Sequence, residues 1–164
     1  MTPPDESASS NVARAVDQLK GVLDAIGWEP EPADGITGFV VDFGPPHVPI
    51  ANALAAISPD EQFVFYINFG YASPPDRRDE IGRLIARANW GLTIGNFEMD
   101  DEDGQVRFKS SVNFSGVELT AELIRNAILP AMTAVEAYAD AVADVLLHGK
   151  TAQAAIASLD ADHS

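Results

Sequence analysis

The chain opens with apolar residues at helical spacing, which predicts a first helix over about residues 11–26. The apolar stripe of this helix consists of Val12, Val16, Leu19, Leu23 and Ile26. Ser10 or Asn11 is placed to cap its start, because short polar side chains accept hydrogen bonds from the free amides of a first turn. Gly27 is suited to a left-handed ending in which Trp28 folds back over the last turn.

Three strands are predicted next. Residues 36–43 and residues 63–69 are both rich in β-branched and aromatic types. The segment 47–57 between them is open to two interpretations. Its alanines favour a helix, whereas its length and its position before a Ser-Pro-Asp-Glu turn favour an edge strand that tolerates Pro49. We favour the strand, so that the three strands form a meander.

A helix and a hairpin follow. Asp76 is placed to cap a helix that ends at a left-handed Gly91. The apolar positions of the next strand change phase around Gly95 and Asn96, which predicts a β-bulge there. An acidic turn at residues 100–104 then leads into a strand with one apolar face.

A long helix is predicted to begin after Thr120 as its cap and to end at Gly149. Its apolar stripe consists of Ile124, Ile128, Met132, Val135, Tyr138, Val142 and Leu146. Because this stripe keeps its phase across Pro130, we predict one helix kinked near Pro130, although an interior proline costs about 3 kcal/mol. Thr151 can cap a last short helix that runs through Leu159.

These elements predict one α+β domain with an antiparallel sheet of about five strands, in the order α-β-β-β-α-β-β-α. A length of 164 residues is typical of one domain. We assign residues 1–10 to a disordered leader, 11–159 to the domain and 160–164 to an acidic tail.

The net charge of −15 argues against nucleic acid and anionic membranes as partners, because this charge repels phosphate. The acidity serves solubility or, alternatively, attraction to a basic partner. The sequence contains no cysteine, no secretory signal pattern at its start and no long apolar segment. These features predict a cytoplasmic location.

The sequence contains no complete motif for metal binding, phosphate binding or catalysis. The acidic turn has Met99 and Ser110 where a calcium loop needs its first and last carboxylates, so we interpret it as a solvated hairpin turn. The segment His-Gly-Lys-Thr has Asp144 where a phosphate loop needs its first glycine, which favours a helix stop followed by a cap. Three histidines share no metal-ligand spacing: His47, His148 and His163. We therefore predict no catalytic residue, no metal site and no cofactor.

The tract from Ala86 to Ile128, with Gly-Lys-Thr-Ala-Gln-Ala-Ala-Ile-Ala downstream, resembles a known family. The matching residues are Arg87, Asn89, Gly91, Gly95, Asn96, Phe97, Asp103, Gly104, Arg107, Gly116, Glu118, Leu119, Leu123 and Arg125. On these residues the chain resembles the YbjN-like domain, a bacterial family that shares the fold of type III secretion chaperones. The resemblance implies a compact α+β domain, often a dimer, in a family of protein-binding or regulatory modules with no established catalytic residues.

Two functions from different classes follow. A protein-binding module, chaperone-like or regulatory, requires an exposed apolar surface that a client or a second copy covers. A small-ligand sensor or an enzyme with a cryptic pocket requires a closed cavity with converging polar groups. We favour the first, because no motif for catalysis is complete and the resembled family has no established catalytic residues. The strand at residues 63–69 also carries bulky groups on both faces, so its second face requires a cover. If the middle helix does not cover the face around Val64 and Tyr66, a partner would bind there or at the sheet edge.

Overall fold

The computed structural model describes residues 6–44 and 49–162. In this part of the chain the α-helices are α1 (Glu6–Ala25), α2 (Arg78–Gly91), α3 (Ala121–Leu147) and α4 (Ala152–Asp162). The strands are β1 (Glu31–Pro32), β2 (Gly38–Val41), β3 (Ile50–Ile57), β4 (Gln62–Ala72), β5 (Asn96–Met99) and β6 (Gln105–Asn113). A short 3-10 turn, Pro75–Arg77, precedes α2. The predicted α+β class and order of elements are confirmed, with β1 as an additional strand.

The six strands form one antiparallel sheet in the order β1-β2-β3-β4-β6-β5. Residues 50–57 are therefore a strand, as favoured, but the edge position was wrong. β3 pairs with β2 on one side, where Val40 lies opposite Leu54, and with β4 on the other. Pro49 precedes the strand, so its missing N–H removes no ladder bond.

One face of the sheet packs against the helices, because strand side chains alternate between faces. In β4 the buried positions are Phe63, Phe65, Ile67 and Phe69. Helix α3 supplies more buried residues than any other described element: Ile124, Ala127, Ile128, Ala131, Ala134, Val135, Ala139, Ala141, Val142, Val145 and Leu146. Helix α3 is therefore the main contributor to the core among the described elements.

Helix α3 begins as predicted, since the Thr120 hydroxyl accepts a hydrogen bond from the Leu123 amide at 3.2 Å. The helix continues through Pro130 without a break, so a single long helix is confirmed. The predicted stripe differs in detail, because Met132 and Tyr138 are only half-buried. Five alanines of α3 are buried in addition to the predicted residues.

The start of α1 differs from the prediction. The helix already includes Glu6, whereas a disordered leader over residues 1–10 was predicted; residues 1–5 lie outside the described part. Asn11 is thus not a cap. Its side chain is buried and donates hydrogen bonds to Oε1 of Glu61 and to the carbonyl of Val117, each at 2.9 Å. These hydrogen bonds connect α1 to the turn at Glu61 and to the loop at Val117.

The end of α1 has the predicted geometry. Gly27 has a left-handed φ of 84°. Its amide donates to the Asp24 carbonyl at 3.0 Å, and the Trp28 amide donates to the Leu23 carbonyl at 3.1 Å. These two bonds define a Schellman ending. They direct the Trp28 ring onto Phe65, with ring centroids 6.1 Å apart.

The predictions around α2 were partly wrong. Asp76 lies in the 3-10 turn, and α2 has no side-chain cap. Gly91 ends the helix without a left-handed backbone, whereas Gly95 has a φ of 75°. A Cβ atom at Gly95 would lie 2.5 Å from the Phe108 ring. The backbone at Gly95 therefore lies close to β6. A left-handed glycine stands where the bulge was predicted, and β5 begins only at Asn96.

The C-terminal segment confirms the interpretation of His-Gly-Lys-Thr as a stop and a cap. Gly149 has a left-handed φ of 69°, and the Thr151 hydroxyl accepts a hydrogen bond from the Ala154 amide at 3.2 Å. Helix α4 continues past Leu159 to Asp162, into the predicted acidic tail. Residues 163–164 and His47 lie outside the described residues.

Candidate partner-binding surface

The second face of the sheet forms a partly exposed apolar surface. Register places Val40 of β2, Leu54 of β3 and Tyr66 of β4 in one row across the strands. Ala56 and Val64 form the neighbouring pair. All five side chains are half-buried, and none belongs to the core or to the half-buried residues packed against it. We call these five residues the outer patch; it contains both predicted partner-binding residues.

The Tyr66 ring is held in place by the polar residues beside it. The Arg107 guanidinium lies over the ring, 4.3 Å from its centroid. Nε and Nη2 of Arg107 each lie 2.9 Å from Oε2 of Glu98, whose other oxygen forms an ion pair with Lys109. These contacts restrict the tyrosine side chain, and a side chain that is already restricted loses less entropy when it is buried.

The Glu98 carboxylate has a shifted pKa. Burial alone raises the pKa of this group, but hydrogen bonds from Lys109, Arg107 and Asn96 outweigh that effect. The pKa of Glu98 therefore lies below its ordinary value of 4.5, and the carboxylate stays charged at neutral pH. The cluster keeps Arg107 in place over Tyr66.

A polar row borders the outer patch. Register aligns Asn52, Asn68, Arg107 and Glu98 across four strands. Within it the Asn68 amide donates to Oδ1 of Asn52 at 2.8 Å. An apolar centre with a polar border is the usual composition of a protein–protein interface.

The two edges of the sheet are closed against an added strand. At the β5 edge, the Asn89 side chain accepts from the Phe97 amide at 2.8 Å and donates to the Phe97 carbonyl at 3.1 Å. One side chain thus takes both bonds that an incoming strand would make there. At the other edge, β1 is two residues long and contains Pro32, which offers no N–H. The outer patch is therefore a more accessible surface of the sheet than either edge.

The role of Asn89 was missed from the sequence, where it appeared only among the residues of the family resemblance. Its partner lies eight positions away on another element, so spacing alone gives no signal. The one local indication was the change of phase of the apolar positions around Gly95, which marks a tight connection between α2 and β5.

The acidic turn makes hydrogen bonds to its own backbone. Oδ1 of Asp100 accepts from the Glu102 amide, and Oδ1 of Asp103 accepts from the Gln105 amide, each at 2.8 Å. Across residues 6–44 and 49–162, no group of three His, Cys, Asp or Glu side chains is arranged to hold a metal ion.

No helix in the described ranges has both the length and the apolar character needed to cross a bilayer.

Solved structures with this fold include YbjN from E. coli, described as a putative transcription regulator. It is 14% identical, with a TM-score of 0.56 over 75% of this chain and 89% of that one. The ExsC–ExsE complex gives 16% identity and a TM-score of 0.56 over 77% and 92%. The HopA1–SchA chaperone–effector complex gives 10% identity and a TM-score of 0.52 over 80% and 94%. The fold is that of type III secretion chaperones.

The family itself is defined by sequence. The model of the YbjN family, described as a putative bacterial sensory transduction regulator, matches residues 15–144. This chain belongs to the YbjN family, as the resemblance in its second half predicted. No curated protein matches the sequence.

Proposed function

We propose that this chain is a non-catalytic protein-binding module, chaperone-like or regulatory, whose outer patch is covered by a partner protein or by a second copy. The observation that carries the proposal is the apolar row of Val40, Leu54 and Tyr66 on the partly exposed face of the sheet. The closed edges direct a partner to this face.

Two further facts support the proposal. The family is described as regulatory, and two proteins of the same fold were solved in complexes with other proteins. A partly exposed aromatic ring under an arginine is a frequent anchor in interfaces, where tyrosine and arginine are enriched.

The proposal predicts that Tyr66→Glu removes binding without unfolding the chain, because a buried unpaired carboxylate is costly at an apolar contact. Light scattering after gel filtration measures self-association, and capture from a lysate of the native cell followed by mass spectrometry measures hetero-association. We expect Tyr66→Glu to lose the dimer or the captured proteins.

Tyr71→Glu is the matched control, because Tyr71 is an exposed tyrosine on the same strand and outside the outer patch. It should behave as the wild type does. A monomeric wild type that captures the same proteins as Tyr66→Glu would contradict the proposal, and so would unfolding of Tyr66→Glu.

A further inference from the structure

An apolar groove lies on the other side of the molecule from the sheet face, between α3 and the loop that joins α2 to β5. Its volume is about 730 Å³. Its apolar lining includes Leu92, Ile94, Leu129, Pro130, Ala137 and Tyr138. Leu129 and Ile94 are 54% and 45% exposed, so the groove is open to solvent along its length.

Trp90 makes this region unusual. It is 87% exposed, and it directly precedes Gly91, which lines the groove. Tryptophan is highly buried on average in folded proteins, and it is among the residues most enriched at binding hot spots. Trp90, Ile94 and Leu129 are three of the large apolar residues exposed on the described surface.

The wall of the groove also offers a hydrogen-bond acceptor. Pro130 lies inside α3 and has no N–H to donate to the carbonyl of Asn126, four residues earlier. Asn126 lines the groove, so a donor on a bound partner could reach this region.

Charge indicates the kind of partner. Glu122, Glu136 and Asp140 are exposed on α3 and lie 7, 7 and 11 positions from Leu129, which places them on the same side of the helix. The single basic residue of α3, Arg125, is 3.7 Å from Glu122. With a net charge of −15, a second copy would be repelled from this side, whereas a cationic partner would be attracted.

The backbone of the partner must also satisfy its own hydrogen bonds. Beside the groove, the outward groups of Phe97 in β5 are already bonded to Asn89, so an extended strand finds no ladder there. A helix brings its backbone bonds with it, and an amphipathic helix in an apolar groove is a recurring mode of recognition.

We propose that this groove binds a cationic amphipathic helix of a partner protein. Apolar side chains one turn apart on that helix contact Leu129 and Ile94, and its lysine or arginine side chains face the carboxylates of α3. This site is separate from the outer patch and does not depend on it.

The test uses a synthetic 18-residue peptide of leucine and lysine with the leucines on one helical face. Two peptides control for charge and composition: a scrambled sequence without an apolar face, and a leucine–glutamate version. Calorimetry on the full chain measures affinity, and Trp90 emission is followed in a Trp28→Phe background. We expect saturable binding of the amphipathic cationic peptide alone, with a blue shift of Trp90.

Leu129→Gln should weaken this binding about tenfold or more, since it removes the apolar contact without a change of charge. Leu147→Gln is the matched control, because Leu147 is 48% exposed near the other end of the same helix. Ile94→Gln gives a second groove variant if Leu129→Gln does not fold. Glu136→Gln with Asp140→Asn should lower both the affinity and its dependence on salt.

Tyr66→Glu should bind the peptide as the wild type does, which separates this proposal from the function assigned to the outer patch. Equal binding of the scrambled peptide would overturn the groove proposal, because only charge would then matter. Equal weakening by Leu129→Gln and Leu147→Gln would overturn it as well.

Discussion

At the residue scale, Asn11 joins three segments that are far apart in the chain. Its amide donates to Glu61 and Val117, which are 50 and 106 positions away, and Oε2 of Glu61 accepts from the Gly116 amide at 2.9 Å. Glu61 adopts a φ of 57°, a conformation that costs energy for a residue with a side chain. The hydrogen bonds around it offset that cost.

Asn11→Ala should therefore lower the free energy of unfolding by about 1–3 kcal/mol, because it removes two hydrogen bonds made by a buried side chain. Urea denaturation measures the loss. Gln18→Ala, an exposed amide on the same helix, should change stability by less than about 0.5 kcal/mol. Similar losses in the two variants would show that the buried bonds contribute nothing specific.

The lowered pKa of Glu98 should make the free energy of unfolding depend on pH. Because its pKa is lowered in the folded state, its contribution is fully present above the ordinary value of 4.5 and is lost as pH falls through the folded-state pKa. The wild type should thus exceed Glu98→Gln in stability at neutral pH, and the difference should shrink as the solution is acidified below 4.5. Denaturation curves at several pH values test this, and a difference that persists in acid would argue against it.

At this scale, the sequence could place residues on elements but not assign their partners. Asn11 looked like a cap because its type and its position before an apolar stripe fit one. Its real partners come from loops that only the tertiary fold brings near. The Gly27 ending was predictable because all its bonds lie within six residues.

At the scale of elements, α3 has a buried side and an exposed side, so burial changes sharply between adjacent residues. Ile128 is 1% exposed and Leu129 is 54% exposed. Periodicity predicted this division, because a step of one residue rotates a helix by about 100°. The five buried alanines were missed, since alanine is common on both sides of helices and becomes a core residue only when two elements approach closely.

Ile128→Ala should cost about 2–5 kcal/mol, the loss expected for truncation of a fully buried isoleucine. Leu129→Ala on the adjacent position should cost less than about 1 kcal/mol, because its side chain already meets water. Chemical denaturation of both variants gives the comparison. A loss below about 0.5 kcal/mol for Ile128→Ala would place the stripe at the surface.

The strands differ in how well their sequences predicted them. β4 is rich in β-branched and aromatic residues and β6 alternates apolar with polar residues, so both were predicted. β1 has two residues, one of them a proline, and forms only because β2 lies beside it. Residues 92–95 looked like strand, but the left-handed Gly95 and the contact of α2 with β5 make them a loop.

At the scale of the whole molecule, the sheet order could not be predicted from the element order. β6 inserts between β4 and β5, so the hairpin of β5 and β6 joins the sheet through its second strand. As a result β5 becomes the edge, where α2 can cover it with Asn89. The outer patch follows from the same order, since it aligns the half-buried positions of β2, β3 and β4.

Asn89→Ala should promote self-association, because it exposes the amide and the carbonyl of Phe97 at a sheet edge. Light scattering at increasing protein concentration should detect larger species than the wild type forms. Gln153→Ala, an exposed amide on α4, serves as the control. If Asn89→Ala keeps the wild-type mass at every concentration, Asn89 does not protect the edge.

The alternation along β4 has a consequence for how such chains can diverge. The core of the protein contains Phe63, Phe65 and Ile67 of this strand, whereas Val64 and Tyr66 between them face outward. Neighbouring positions in the sequence are therefore under different structural constraints. Under the proposed function, substitutions at these outward positions would alter what the sheet recognises and leave the interior intact. A lineage can therefore acquire a new partner through a few changes in one strand, without passing through an unfolded intermediate form of the protein.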